Sequence, residues 1–89
     1  MEQNFIVTDE HGLHARPASA VVKVAMPFAS DLQLVTGEKT VNLKSLMGVL
    51  SMGLTKGSAF TLRAEGDDAQ QALDTVGQAL VDQGLAQRA

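Results

Sequence analysis

Cysteine, tryptophan and tyrosine are absent from the chain, and proline occurs only twice. Without cysteine, disulfides, thiol nucleophiles and thiolate metal sites are excluded, and a reducing compartment is compatible. The three phenylalanines Phe5, Phe28 and Phe60 are the only aromatics, so a core must be built mainly from Val, Leu, Ile, Ala and Met. Lysine and arginine number seven against ten acids, a net charge of −3. That balance argues against nucleic acid as the main partner. No basic start leads into a long apolar run, so neither a signal peptide nor membrane insertion is expected. What is present is 89 residues, 45% of them hydrophobic. That suffices for one domain over residues 1–89 with a modest core, expected to be soluble and cytoplasmic.

Hydrophobic spacing divides the chain into alternating elements. Asn4–Thr8 is rich in β-formers and runs into the polar stretch Asp9-Glu10-His11-Gly12, a strand followed by a loop. Ala18, Val21, Val22 and Ala25 recur on one face of a helix that Pro27 stops, with Lys23 on the wet side. Asp31–Val35 alternates, with Leu32 and Leu34 on one side. Thr36-Gly37-Glu38 turns it into a partner strand over Lys39–Leu43. Ser45 is a favoured N-cap and opens a two-turn helix over Leu46–Ser51, closed by Gly53. Ala59–Ala64 forms a strand with Phe60, Leu62 and Ala64 on one face. Gly66-Asp67-Asp68 makes a turn and a helix cap. The last helix carries Ala69, Ala72, Leu73, Val76, Ala79 and Leu80 as its apolar stripe and ends at Gly84, with Gly77 unfavourable inside it. The order β-α-β-β-α-β-α predicts one sheet of four strands whose apolar face is covered by three helices, with the other face wet.

The chemistry concentrates in Gly12-Leu13-His14-Ala15-Arg16-Pro17-Ala18. Imidazole is a nitrogen nucleophile near neutral pH. Arg16 offers a permanently charged donor fork suited to phosphate. Pro17 is tolerated in a first helical turn, where its missing N–H costs nothing. His14 therefore stands at a helix start, where free N–H groups and the dipole attract an anion. This points to a phosphate that lands on His14 and leaves again, with Ala15, Arg16, Pro17 and Ala18 as its cradle. A lone loop histidine is ordinarily just solvated; the flanking Arg16-Pro17 is what lifts His14 above that reading. His11, without such neighbours, reads as a surface residue near the site. The two histidines alone make a weak metal set, so no metal is expected. The acidic pair Asp67-Asp68 reads as a helix cap rather than an acid–base pair.

A second block, Val41-Asn42-Leu43-Lys44-Ser45-Leu46-Met47-Gly48-Val49-Leu50-Ser51-Met52-Gly53, completes a pattern. Together the two blocks resemble HPr, the histidine-containing phosphocarriers of the bacterial phosphotransferase system, whose open-faced β-sandwich has the element order read above; the resemblance implies an α+β fold with a four-stranded antiparallel sheet and three helices on one face. The resemblance covers essentially the whole chain. It implies a relay in which enzyme I, phosphorylated by phosphoenolpyruvate, passes the group to His14. His14 then hands it to the A components of enzyme II permeases. The chain would thus be a carrier rather than an independent enzyme, without a cofactor and monomeric. In the family the phosphate sits on the δ1 nitrogen; the sequence alone does not select δ1 over ε2. The Ser-Leu-Met-Gly block resembles the Gram-positive branch. There HPr kinase/phosphorylase modifies the serine, and the modified form is a corepressor for catabolite control protein A. That would make Ser45 a regulatory site. Leu46, Met47 and Leu50 are expected at least partly exposed as a partner surface, with Val49 in the core and Lys23 and Lys44 facing acidic partners. Two other readings are a purely regulatory relative, which lacks the active histidine, and a nitrogen-branch phosphocarrier. Retention of His14, Arg16 and Pro17 disfavours the first, and the serine block favours the sugar-system carrier over the second. An initiating Met1 and self-contained termini favour a stand-alone carrier over a piece of a larger protein.

Overall fold

The computed structural model describes residues 1–89. Its elements run β1 (Glu2–Val7), α1 (Ala15–Ala25), β2 (Asp31–Thr36), β3 (Lys39–Asn42), α2 (Leu46–Ser51), β4 (Ala59–Glu65), α3 (Ala69–Asp82) and β5 (Ala86–Arg88). The strands form one sheet in the order β3-β2-β4-β1-β5, each neighbouring pair antiparallel. No helix is long and apolar enough to cross a membrane.

Strand alternation decides which face is covered. Phe5 and Val7 of β1, Leu32 and Leu34 of β2, and Phe60, Leu62 and Ala64 of β4 all point inward and are buried. The register sets Leu34 opposite Leu62 and Phe5 opposite Phe60, whose rings stack at 5.4 Å. Onto this layer α1 lowers Ala18, Val21 and Ala25, and α3 lowers Ala69, Ala72, Leu73, Val76 and Leu80. The other face is polar: Thr61 donates to Asn4 at 2.8 Å, and Arg63 pairs with Glu2 at 2.8 Å. The architecture is an open-faced sandwich, with one covered and one wet face as the spacing implies.

The sheet has five strands, not the four expected. The fifth, Ala86–Arg88, carries no β-branched or aromatic residue, so local preference gives no sign of it. It forms because Gly84 (φ +70°) turns the chain at the end of α3, Leu85 enters the core, and Ala86 pairs with Val7. β3 ends at Asn42 rather than Leu43, whose side chain is buried. Gly77, unfavourable for a helix, has a packing reason. A Cβ there would stand 3.2 Å from Phe5 Cζ and 3.2 Å from a guanidinium nitrogen of Arg88, so glycine lets α3 lie close to β1 and β5.

Asp68 is the N-cap residue of α3, yet its carboxylate does not cap its own helix. It reaches across to accept the Ala29 and Ser30 N–H groups, each at 2.9 Å, and the Ser30 hydroxyl. The Ser30 hydroxyl, then the Ala29 amide, hold its carboxyl below the usual carboxylate range. The expected cap is thus a tertiary clamp between the turn before α3 and the α1–β2 connection.

Candidate functional site

The segment ahead of α1 is a tight loop folded around Asp9. The Asp9 N–H reaches the Leu85 carbonyl at 3.3 Å, and the Asp9 carbonyl accepts the Gly12 N–H at 3.0 Å. Gly12 is in the left-handed region at φ +69°, and a Cβ there would come within 2.1 Å of the Leu54 carbonyl oxygen, so only glycine fits. Leu13 then donates its N–H to the same Leu54 carbonyl at 3.3 Å and buries its side chain. These contacts pin the loop against the segment just after α2, which brings the start of α1 next to the chain leaving α2.

His14 is the N-cap residue of α1, with extended backbone (φ −95°, ψ 166°) and a side chain that does not cap the helix. Its carbonyl accepts the Ala18 N–H at 3.0 Å. Ala18's amide is therefore committed within the helix and Pro17 has none. The expected cradle narrows to the N–H groups of Ala15 and Arg16, neither of which has an acceptor in the protein. Both belong to exposed residues. The Arg16 guanidinium makes no ion pair within the chain and is open to solvent.

The imidazole of His14 is 40% exposed, and its Nε2 lies 3.2 Å from Asp9 Oδ2. The other Asp9 oxygen accepts the His11 backbone N–H at 2.7 Å. That amide first, and the His14 ring second, hold the Asp9 carboxyl below its ordinary value. An ionised carboxylate only accepts hydrogen bonds, so Nε2 carries the proton and donates it to Asp9. In the neutral ring Nδ1 is then the nitrogen with the free lone pair. The His11 ring is exposed and meets His14 edge-on, centroids 5.6 Å apart. Asp9 has no part in the sequence reading, where the run Asp9–Gly12 is simply a polar loop. The available sign was a carboxylate one tight glycine turn before the histidine.

Ser45 caps α2 as its residue type suggests: its Oγ accepts the Gly48 N–H at 3.1 Å. Of the residues after it, Val49 is buried, Met47 is 78% exposed, and Leu46, Leu50 and Met52 are half-buried against the core. Lys23 is exposed, whereas Lys44 bends back to donate to the Phe28 carbonyl at 2.5 Å. Lys44 thus ties the turn before α2 to the α1–β2 connection.

A family model described as the PTS HPr component phosphorylation site matches residues 1–82. The chain is 49% identical over 85 residues to the phosphocarrier protein HPr of Lysinibacillus sphaericus, covering 96% of this chain and 97% of that one. It is 44% identical over 82 residues to phosphocarrier protein HPr of Mycoplasma capricolum, covering 92% of each. Among solved structures, a histidine-containing phosphocarrier protein of Mycoplasma superposes with a TM-score of 0.94 at 41% identity, covering 98% of this chain and 99% of that one.

Proposed function

The chain belongs to the HPr family of phosphocarriers, and on that premise we propose that His14 accepts a phosphoryl group from phospho-enzyme I and passes it to enzyme II A components. The observation that carries this reading is the half-exposed imidazole at the first turn of α1, beside the free N–H groups of Ala15 and Arg16. Nδ1 is the acceptor. Its lone pair forms the new bond to phosphorus while the donor's bond to phosphorus breaks and the donor keeps that electron pair. The two amides, the helix dipole and the Arg16 guanidinium stabilise the charge on the equatorial oxygens. Each hydrogen bond to a charged phosphate contributes roughly 1.5–3 kcal/mol, and a small number of them suits a group that must depart again. The protein is a carrier with a covalent intermediate, not an independent catalyst. It acts in the cytoplasm as a monomer, one domain over residues 1–89.

Ser45 is the regulatory site, modified by HPr kinase/phosphorylase, and the modified form binds catabolite control protein A. Esterification adds about −1.5 to −2 charges at the start of α2. The phosphate oxygens can take over the Gly48 N–H, so the fold survives. What changes is the surface: a dianion beside the exposed Met47 and the half-buried Leu46 and Leu50 disfavours an acidic partner and favours a basic one.

The test is phosphorylation by enzyme I and phosphoenolpyruvate. One acid-labile, alkali-stable phosphate per chain, lost in His14→Ala, is the expected result. Retention of that phosphate in His14→Ala overturns the reading. In parallel, HPr kinase and ATP are expected to give an acid-stable adduct that Ser45→Ala abolishes.

A further inference from the structure

Asp9 makes more contacts than a solvated loop carboxylate needs. Its N–H bonds the Leu85 carbonyl, its carbonyl takes the Gly12 amide, Oδ1 takes the His11 amide at 2.7 Å and Oδ2 faces His14 Nε2 at 3.2 Å. The backbone contacts anchor the residue to the connection after α3 and to the glycine turn, so the carboxylate is aimed rather than free. Its two oxygens have different tasks. A backbone N–H can be met only by an acceptor, which fixes Oδ1 toward His11 and leaves Oδ2 to the ring.

We infer that Asp9 is a positioning residue for the transfer: it holds the His14 ring by Nε2 and thereby leaves Nδ1 bare at the start of α1, where the Ala15 and Arg16 amides are free. This deepens the phosphocarrier reading and rests on it. During transfer the proton on Nε2 stays in place, hydrogen-bonded to Asp9, while Nδ1 bonds phosphorus and the donor leaves with its electron pair. No proton has to move. The positive charge that the ring acquires lies against a carboxylate, and the same contact persists when the group moves on.

Asparagine at this position gives a signature that a merely structural role does not. The amide oxygen of Asp9→Asn stays on the His11 N–H, so its NH2 faces the ring and donates to Nε2. The ring proton then shifts to Nδ1, and the nucleophilic lone pair points the wrong way. Asp9→Ala removes the hold but leaves either tautomer open. The experiment uses the full chain as wild type, Asp9→Ala and Asp9→Asn, with phosphoenolpyruvate and enzyme I, reading kcat and KM for His14 phosphorylation. The expected order is wild type, then Ala down about threefold, then Asn down roughly tenfold or more, in kcat rather than KM. Asparagine matching wild type, or outperforming alanine, overturns the inference.

Long-range 1H–15N NMR of the unphosphorylated chain at alkaline pH, where imidazole is neutral, reads the tautomer directly. The proton is expected on Nε2 in wild type and on Nδ1 in Asp9→Asn; the same tautomer in both overturns the inference. A wild-type chain that takes up no phosphate on His14 rejects the phosphocarrier reading. A chain phosphorylated there, with Asp9→Asn equal to wild type, rejects only the role of Asp9.

Discussion

Two helices begin at residues that carry the proposed phosphate chemistry, and they begin in opposite ways. At the start of α2, Ser45 closes its own helix by accepting the Gly48 amide. At the start of α1, His14 caps nothing, and the Ala15 and Arg16 amides have no partner in the protein. An unfilled helix start is ready to bind an anion that comes and goes. A filled one is stable by itself and takes a phosphate only as an exchange of acceptors. A group in transit therefore fits α1, and a slower regulatory mark fits α2. The difference comes from residue type: a serine hydroxyl reaches back to its own helix, whereas this imidazole turns to Asp9 instead.

The comparison can be broken most forcefully at Gly12. Alanine there drives a Cβ into the Leu54 carbonyl and strains a left-handed residue, so Gly12→Ala should cost about 3 kcal/mol. In a domain of this size that lowers Tm by roughly 15 °C, measurable by thermal unfolding. A shift within a degree or two would show that the loop does not depend on this close approach. Next in size is Arg16→Ala, expected to slow phosphorylation of His14 by about tenfold without changing Tm, since the guanidinium is exposed and unpaired. An unaltered rate would leave the amides as the only anion donors.

Alanine at the two caps sharpens the contrast. Ser45→Ala should lose about 1 kcal/mol of stability, whereas His14→Ala should stay within about 0.5 kcal/mol, because only the first side chain bonds its helix. Equal losses in chemical denaturation would contradict the distinction. Ser45→Asp should keep the fold and slow phosphorylation by enzyme I; an unchanged rate removes the electrostatic part of that account.

The smallest effect lies away from both helix starts, at Asp68. Its carboxyl titrates lower when folded, so its contribution to stability is present above the ordinary value of 3.8 and disappears as pH falls through the folded value. Asp68→Asn should therefore be less stable than wild type at neutral pH, and the gap should narrow in acid below 3.8. A gap that widens in acid would mean that the Ser30 and Ala29 contacts do not favour the charged form.

The sequence made the helix faces and most of the sheet legible, because apolar spacing along α1, β2, β4 and α3 is local information. The candidate site was legible where it is contiguous: His14, Arg16 and Pro17 stand in one run, and Ser45 precedes an apolar turn. What escaped depends on distant partners. β5 exists only because Leu85 is buried and Ala86 meets Val7. Asp68 resembles a helix cap until the fold brings Ala29 and Ser30 to it. Asp9 lies close to His14 in sequence, but its meaning depends on how Gly12 turns the loop. Spacing along the chain does not encode that turn's direction.

The most direct measurement is NMR of the chain after treatment with enzyme I and phosphoenolpyruvate, tracing phosphorus–nitrogen coupling to a single ring atom. The account predicts one phosphate, bonded to Nδ1 of His14, with the Nε2 proton still held by Asp9. Phosphorus on Nε2 of His14, or on His11, would contradict it.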